Sequence, residues 1–331
     1  MSKWFRRIAL TLGAMAGAVC LLLLLSILSS DPQFAGPLEI SPEAMAEAGV
    51  SFEQPYPSEA RSFRMKDGTV LAAQYLKTDS SNTVLYLHGI LGASFLLNES
   101  SGPIREATGA EVVALDLRGH GMSGGKPGDT DYIGQYEDDV AEVVRQIRAE
   151  KPGGKVILAG HSMGGGIALR YAEKAGSPPV DGILLLAPHL GWESPTTPKE
   201  AREGDAMFAQ LHLPRLLALH LLNVVGLTPF NGLRIMFFNL PPELPLNSYT
   251  YRALMSGSPE DYRQALAAVK VPLLLVVGSR DEAFVASEYQ GVMRYARQGS
   301  FALLDGATHN GVYRDPRTMA EVAAWWRRSF P

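Results

Sequence analysis

Gly160-His161-Ser162-Met163-Gly164 follows the apolar run Lys155-Val156-Ile157-Leu158-Ala159 and leads into the small, apolar segment Gly164–Tyr171. This is G-x-S-x-G set between a strand pattern and a helix pattern. A serine on so tight a turn is held in strained backbone geometry with its hydroxyl exposed, and the flanking glycines let the chain turn without clashes. The N-terminus of the following helix favours developing negative charge. The same five letters occur in ordinary turns. The strand before and the helix after are what point to Ser162 as a nucleophile.

A serine hydroxyl is a weak nucleophile at neutral pH. It needs a base within hydrogen-bond reach, and that base needs a third group to fix its tautomer and stabilise its positive charge. In open parallel sheets functional loops follow the carboxyl ends of strands. After the run Leu273–Val277 comes Gly278-Ser279-Arg280-Asp281-Glu282; after Phe301–Leu304 comes Asp305-Gly306-Ala307-Thr308-His309-Asn310-Gly311. Ser162, Asp281 and His309 therefore stand in the order Ser…Asp…His that accompanies this kind of turn. Glu282 competes with Asp281 for the acid. Asp305 is suited to fixing the loop that carries His309, and Asp116 to stabilising a turn. Among the other histidines, His161 is expected to point away from the serine. His120 sits in a Gly-rich turn, and His189, His212 and His220 fall in a later segment without strands.

Acyl transfer also needs donors for the tetrahedral oxyanion, each contributing about 2.7–4 kcal/mol to the transition state. The N–H after the nucleophile, that of Met163, is one. The second is expected from the loop after Thr83–Leu87, His88-Gly89-Ile90-Leu91-Gly92, through the N–H of Ile90, with Leu91 the alternative.

The elements that must position these groups are legible as an alternation. Thr83–Leu87, Val112–Leu115, Val156–Ala159, Ile183–Ala187, Leu273–Val277 and Phe301–Leu304 are short Val/Leu/Ile runs. Such continuous runs fit parallel strands covered on both faces. Arg61–Met65 and Thr69–Leu76 flank Asp67-Gly68, a hairpin turn pair. Ile133, Tyr136, Val140, Val143, Val144 and Ile147 recur at helical spacing, as do Met319, Val322, Ala323, Trp326 and Phe330. Alternating β and α implies right-handed crossovers and a doubly wound α/β sheet. From His189 to about Tyr262 the alternation stops. Leu213, Leu216, Leu217, Leu221, Val224 and Val225 suggest one helix there and Asn231–Leu240 a second. A membrane span through this part is the rival reading, but Pro214, Arg215, His220 and Asn223 interrupt the apolar run.

The N-terminus carries a separate signal. Ile8 to Leu28 has no charged residue, and as a helix it would measure roughly 31 Å, about one bilayer core. Lys3, Arg6 and Arg7 precede it, whereas Asp31, Glu39, Glu43, Glu47 and Glu53 come before the next basic residue, Arg61. The positive-inside rule puts the N-terminus in the cytoplasm and the remainder outside it. A cleaved signal peptide is the alternative, but its apolar core is usually only about 7–15 residues. Residues 30–60, with five prolines between Pro32 and Pro57, read as a linker or a surface-hugging arm. The net charge of −4 offers no basic patch for nucleic acid. The single cysteine, Cys20, excludes a disulfide framework or a Cys-based metal site within one chain.

Together these residues resemble the α/β-hydrolase superfamily. Asp116-Leu117-Arg118-Gly119-His120-Gly121-Met122-Ser123 is similar to the D-x-R-G-H-G-x-S stretch of its monoacylglycerol lipase and lysophospholipase branch, where Arg118 and His120 would organise the turn. Two features depart from that branch: the loop His88–Gly92 is not of the H-G-x-G-E/D type, and Asn310 follows the base. The resemblance implies an eight-stranded, mostly parallel sheet over 61–331, with the insertion at about 189–262 where the family carries a helical lid, behind an anchor at 1–29 and a linker at 30–60. The expected activity is a serine ester hydrolase on a lipid-like ester, with no metal or cofactor required. Ester, thioester, amide or carbon–carbon bond hydrolysis on a small non-lipid substrate is the alternative; a non-enzymatic membrane-anchored interaction module is a third.

Overall fold

The computed structural model describes residues 3–36, 38, 41, 43, 45, 50–200, 205–241 and 243–331. In chain order its main elements are α1 (Lys3–Leu28), β1 (Glu59–Arg64), β2 (Val70–Leu76), β3 (Thr83–Leu87), α2 (Asn98–Thr108), β4 (Glu111–Leu115), α3 (Gln135–Glu150), β5 (Val156–His161), α4 (Met163–Glu173) and β6 (Gly182–Leu186). They continue with β7 (Ala209–Leu211), α5 (Leu213–Val224), β8 (Arg234–Phe238), β9 (Ser248–Thr250), α6 (Tyr262–Ala268), β10 (Leu273–Gly278), β11 (Gly299–Leu304) and α7 (Pro316–Ser329).

These elements fall into two compact units. One comprises Glu39–Arg202 and Arg252–Pro331; the other comprises Met1–Leu38 and Glu203–Tyr251. The first unit holds an eight-stranded sheet in the order β1-β2-β4-β3-β5-β6-β10-β11. β2 runs antiparallel to β1 and to β4, and the pairings from β4 to β11 are parallel. Every residue of β3, β4, β5, β6 and β10 is buried. The unbroken apolar runs thus have the physical cause expected of them, cover on both faces of a parallel sheet. The hairpin at Asp67-Gly68 pairs Arg64 with Val70, and Gly68 takes φ 87°, a left-handed conformation that glycine adopts without steric cost.

α3 follows the predicted face, and α7 follows it in part, with Met319, Ala323 and Phe330 only half-buried. α3 begins just after Gly134 and buries Tyr136, Val140, Val143, Val144 and Ile147. α7 is N-capped by Asp315, whose side chain accepts the N–H of Arg317, has Pro316 in its first turn, and buries Val322, Trp325 and Trp326. The arm before β1 is tied to the unit at Tyr56, which exchanges hydrogen bonds with the side chain of Asn98 on α2 at 3.0 and 2.8 Å.

The second unit differs from the expected helical insertion. α5 is the predicted helix, but the segment read as a second helix is β8, which pairs antiparallel with β7 and β9 in a three-stranded sheet. Arg234-Ile235-Met236-Phe237-Phe238 is too short to reveal a period, and its aromatic and β-branched residues favour a pleated surface. The unit also contains α1. Arg215 on α5 donates to the carbonyls of Ile27, at 3.3 Å, and Ser29, at 2.6 Å, and pairs with Asp31 at 2.7 Å. His212, the N-cap of α5, accepts the Arg215 N–H at Nδ1 and donates from Nε2 to the Ser30 carbonyl at 3.1 Å. Among the described residues α1 is the one helix long and apolar enough to cross a membrane, over Leu10–Leu28.

Candidate active site

Ser162 lies between the end of β5 and the start of α4 with φ 53° and ψ −118°, a region that an L-residue with a Cβ rarely enters. Such strain is the geometry expected of a nucleophile on a strand-to-helix turn. The two motif glycines permit it by close approach. A Cβ on Gly160 would come within 2.3 Å of the Gly164 carbonyl, and one on Gly164 within 2.4 Å of the Leu87 carbonyl. The Ser162 carbonyl accepts the N–H groups of Gly165, Gly166 and His189 at 3.0, 3.1 and 2.9 Å. The intrahelical ladder of α4 thus begins beyond Met163, whose N–H belongs to the unladdered first turn.

The two other predicted members meet each other. His309 Nδ1 donates to Asp281 Oδ2 at 2.9 Å, and the Asp281 side chain is wholly buried. The second carboxylate oxygen of Asp281 accepts the N–H groups of Ala283 and Phe284, both at 2.8 Å. Three donors converge on this one carboxylate, which fixes its rotamer. With its proton on Nδ1, the imidazole carries a lone pair on Nε2, as a general base requires.

Glu282 also touches the base, by a different route. Its Oε2 accepts the backbone N–H of His309 at 2.8 Å. The competing acid therefore secures the loop rather than the ring. Asp305 accepts the Ser279 hydroxyl at 3.1 Å, joining the two loops that carry Asp281 and His309. Asp116 accepts the N–H groups of Ser94 and Met122 and closes the turn after β4.

His161 packs against the loop that carries His309. Its ring is 4.8 Å from that of His309, and its Nε2 donates to the His309 carbonyl at 3.1 Å. It holds the histidine loop against the elbow. Burial pushes its pKa well below the ordinary value, with the neighbouring His309 adding to the shift. His189, expected in the insertion, belongs to the first unit. Its ring stacks on Phe284 at 5.4 Å, and Phe284 meets His309 edge-on at 5.2 Å. No local signal gives away the contacts of His161 with His309 and of His189 with Phe284, because these partners are 148 and 95 positions away.

The loop after β3 approaches the serine from the other side. A Cβ on Gly89 would stand 3.1 Å from that of Ser162, and the Gly92 N–H closes a turn onto the Gly89 carbonyl at 3.1 Å. Leu91 takes φ 57°. His88 anchors the turn: Nδ1 donates to the Gly89 carbonyl at 2.8 Å, and Nε2 accepts the Leu117 N–H at 3.1 Å. The loop thus places the peptide groups of Ile90 and Leu91 within a few residues of the Ser162 contact. Arg118 and His120 organise the neighbouring turn. Arg118 forks onto Asp139 at 2.8 and 2.7 Å and reaches Asp67 at 2.8 Å; His120 Nδ1 bonds the Arg118 carbonyl at 2.9 Å.

The family model described as serine aminopeptidase, S33 matches residues 78–226. An AB hydrolase superfamily protein of Bacillus subtilis is 28% identical over 67% of this chain and 82% of its own length. A monoacylglycerol lipase of Mycolicibacterium smegmatis is 27% identical over 66% of this chain and 79% of its own. In the fold, the monoacylglycerol lipase of Paleococcus ferrophilus superposes with a TM-score of 0.54 at 22% identity, covering 82% of this chain and 99% of that one. A putative aryl esterase from Burkholderia cenocepacia gives 0.59 at 19% identity over 82% and 99%.

Proposed function

Because the chain belongs to the α/β-hydrolase superfamily, on its monoacylglycerol lipase-like branch, we propose that it is a serine ester hydrolase in which Ser162, His309 and Asp281 form the catalytic triad. The observation that carries this reading is the 2.9 Å bond from His309 Nδ1 to the buried Asp281, with Ser162 strained at φ 53°. Ser162 Oγ attacks the ester carbonyl while His309 Nε2 takes its proton. The N–H groups of Met163 and Ile90 receive the oxyanion, with Leu91 the alternative to Ile90. The tetrahedral species collapses, the carbon–oxygen bond to the alcohol breaks, and His309 returns the proton to the departing oxygen. Water then attacks the acyl-enzyme and gives a proton to His309; the second tetrahedral species collapses, the bond from the acyl carbon to Ser162 Oγ breaks, His309 returns the proton to Oγ, and the carboxylic acid leaves. Asp281 stabilises the imidazolium in both halves.

The substrate class we infer is a lipid-like ester, such as a monoacylglycerol or lysophospholipid. Its support is the relative named a monoacylglycerol lipase, the apolar insertion after β6, and the N-terminal helix. We read that helix as a retained anchor with its N-terminus in the cytoplasm and the catalytic unit on the outer side, because Arg215 and His212 tie its C-terminal end into the folded chain. The family described as a serine aminopeptidase favours a second reading, amide hydrolysis by the same residues. Hydrolysis of monoacylglycerols, p-nitrophenyl esters of increasing length and aminoacyl amides by the full chain in detergent tests the choice. Preference for long acyl esters supports the lipid reading. Preference for acetyl esters or for amides overturns it.

A further inference from the structure

α5 leaves one face uncovered among the described residues. Leu213, Leu217, Leu221 and Val224 recur at helical spacing and are 53%, 54%, 55% and 72% exposed. The turn beyond them adds Val225, Leu227 and Phe230, all exposed. From Leu216 to Leu233 the sequence carries no charged residue. A contiguous apolar surface of this kind marks an interaction site rather than an ordinary wet face.

Several polar groups of the segment bond within it. The N–H groups of Val225 and Leu227 go to the Leu222 carbonyl, that of Gly226 to Asn223, that of Asn231 to Thr228, and that of Leu233 to Phe230. Asn223 and Asn231 exchange side-chain amide bonds at 2.6 and 2.9 Å. Internal satisfaction is what a hydrocarbon solvent demands of backbone and amide groups. The exposed polar side chain of the helix itself is His220.

α5 also has a fixed position against α1. The two helices share an end, where buried Arg215 binds the carbonyls of Ile27 and Ser29. From there a groove runs along both, lined by Val19, Leu22 and Leu23 on one side and by Leu213, Leu217 and Leu221 on the other. The 12 residues of α5 measure roughly 18 Å as a helix, a little over half of the ~30 Å hydrocarbon core. That length is too short to cross a bilayer and matches one leaflet.

We propose that α5 and its turn, Leu213–Phe230, enter the outer leaflet beside α1 as a re-entrant element, with lipid acyl chains covering the Leu213–Leu217–Leu221–Val224 face. This rests on the reading of α1 as a membrane span with its N-terminus in the cytoplasm. The Arg215–Asp31 pair then lies at the outer interface, where an ion pair is cheap, and Leu221 lies at the depth of Val19, near the bilayer middle. Anchor and insertion form one membrane-seated unit, and the bilayer fixes the insertion as firmly as the anchor.

Cys20 is the only cysteine, so Cys20→Ala gives a blank background in the full chain. Nitroxide labels are attached at Leu217→Cys and Leu221→Cys, at Leu25→Cys as the marker for α1, and at Met122→Cys, 86% exposed, as the water reference. In phosphatidylcholine vesicles, collision with oxygen is compared with collision with a water-soluble nickel chelate. The expected result is oxygen access with exclusion of nickel at positions 25, 217 and 221, and nickel access at 122. Nickel access at 217 and 221 with exclusion at 25 overturns the re-entrant element and leaves the anchor standing. Shielding of 217 and 221 from both quenchers also overturns it, since protein rather than lipid would then cover the face. Nickel access at 25 overturns the anchor and the re-entrant element together.

Discussion

Glu282 accepts the backbone N–H of His309 at 2.8 Å, although Glu282 is adjacent in sequence to the residue that binds the His309 ring. Two consecutive carboxylates thus hold one histidine in two ways. Asp281 sets the tautomer of the imidazole, and Glu282 sets the path of the chain that carries it. Their substitutions should separate. Asp281→Asn should lower kcat by roughly 10⁴-fold, the scale set by losing the correct tautomer. Glu282→Ala should cost no more than about a hundredfold, the scale of a slight misplacement, and Glu282→Gln, whose amide oxygen can still accept, should keep most of the activity. Steady-state hydrolysis of a chromogenic ester measures all three. The reverse ranking would make Glu282 the acid of the triad.

Arg118 is the polar keystone of the turn after β4. Its side chain is buried against Asp139 and also binds Asp67. Removing one partner of such a buried pair leaves an uncompensated charge and typically costs about 3–5 kcal/mol. Arg118→Ala should lower the unfolding free energy of the catalytic unit by that order, while the protein that remains folded still reacts with a fluorophosphonate. Urea unfolding and probe labelling at matched folded fraction check this. Loss of labelling with stability unchanged would instead give Arg118 a direct part in the chemistry.

Burial pushes His88 and His189 down to about 4 and His120 down to about 3, with the neighbouring His88 adding to the shift at His120 and His309 to that at His189. In the unfolded chain these imidazoles protonate near 6.5. Between those values the unfolded state binds more protons than the folded state, so stability falls as pH falls. Each histidine contributes a slope of at most about 1.4 kcal/mol per pH unit. The melting temperature should therefore drop between about pH 7.5 and pH 5.5, before most carboxylates titrate, and His120→Gln should flatten the slope. A melting temperature that is level or rising over that interval would contradict this.

Parts of this architecture are legible locally and parts are not. β3, β5 and β10 announce themselves because a parallel strand buried on both faces has no polar alternation to confuse it. The meeting of Asp281 with His309 is legible because the two follow the adjacent parallel strands β10 and β11. β8 is misread as helix because a short apolar run has no measurable period, and its partner strands are supplied by the fold. The union of α1 with Glu203–Tyr251 is invisible to any local pattern: Arg215 meets Ile27 and Ser29 across 188 and 186 positions of chain.

The proposed mechanism stands on Ser162 as the nucleophile. Full-length protein in detergent, treated with a fluorophosphonate and mapped by peptide mass spectrometry, tests it most directly. One adduct is expected, on the Ser162 oxygen, absent in Ser162→Ala and formed far more slowly in His309→Ala. An adduct on another residue, or labelling of folded Ser162→Ala at the wild-type rate, would contradict it.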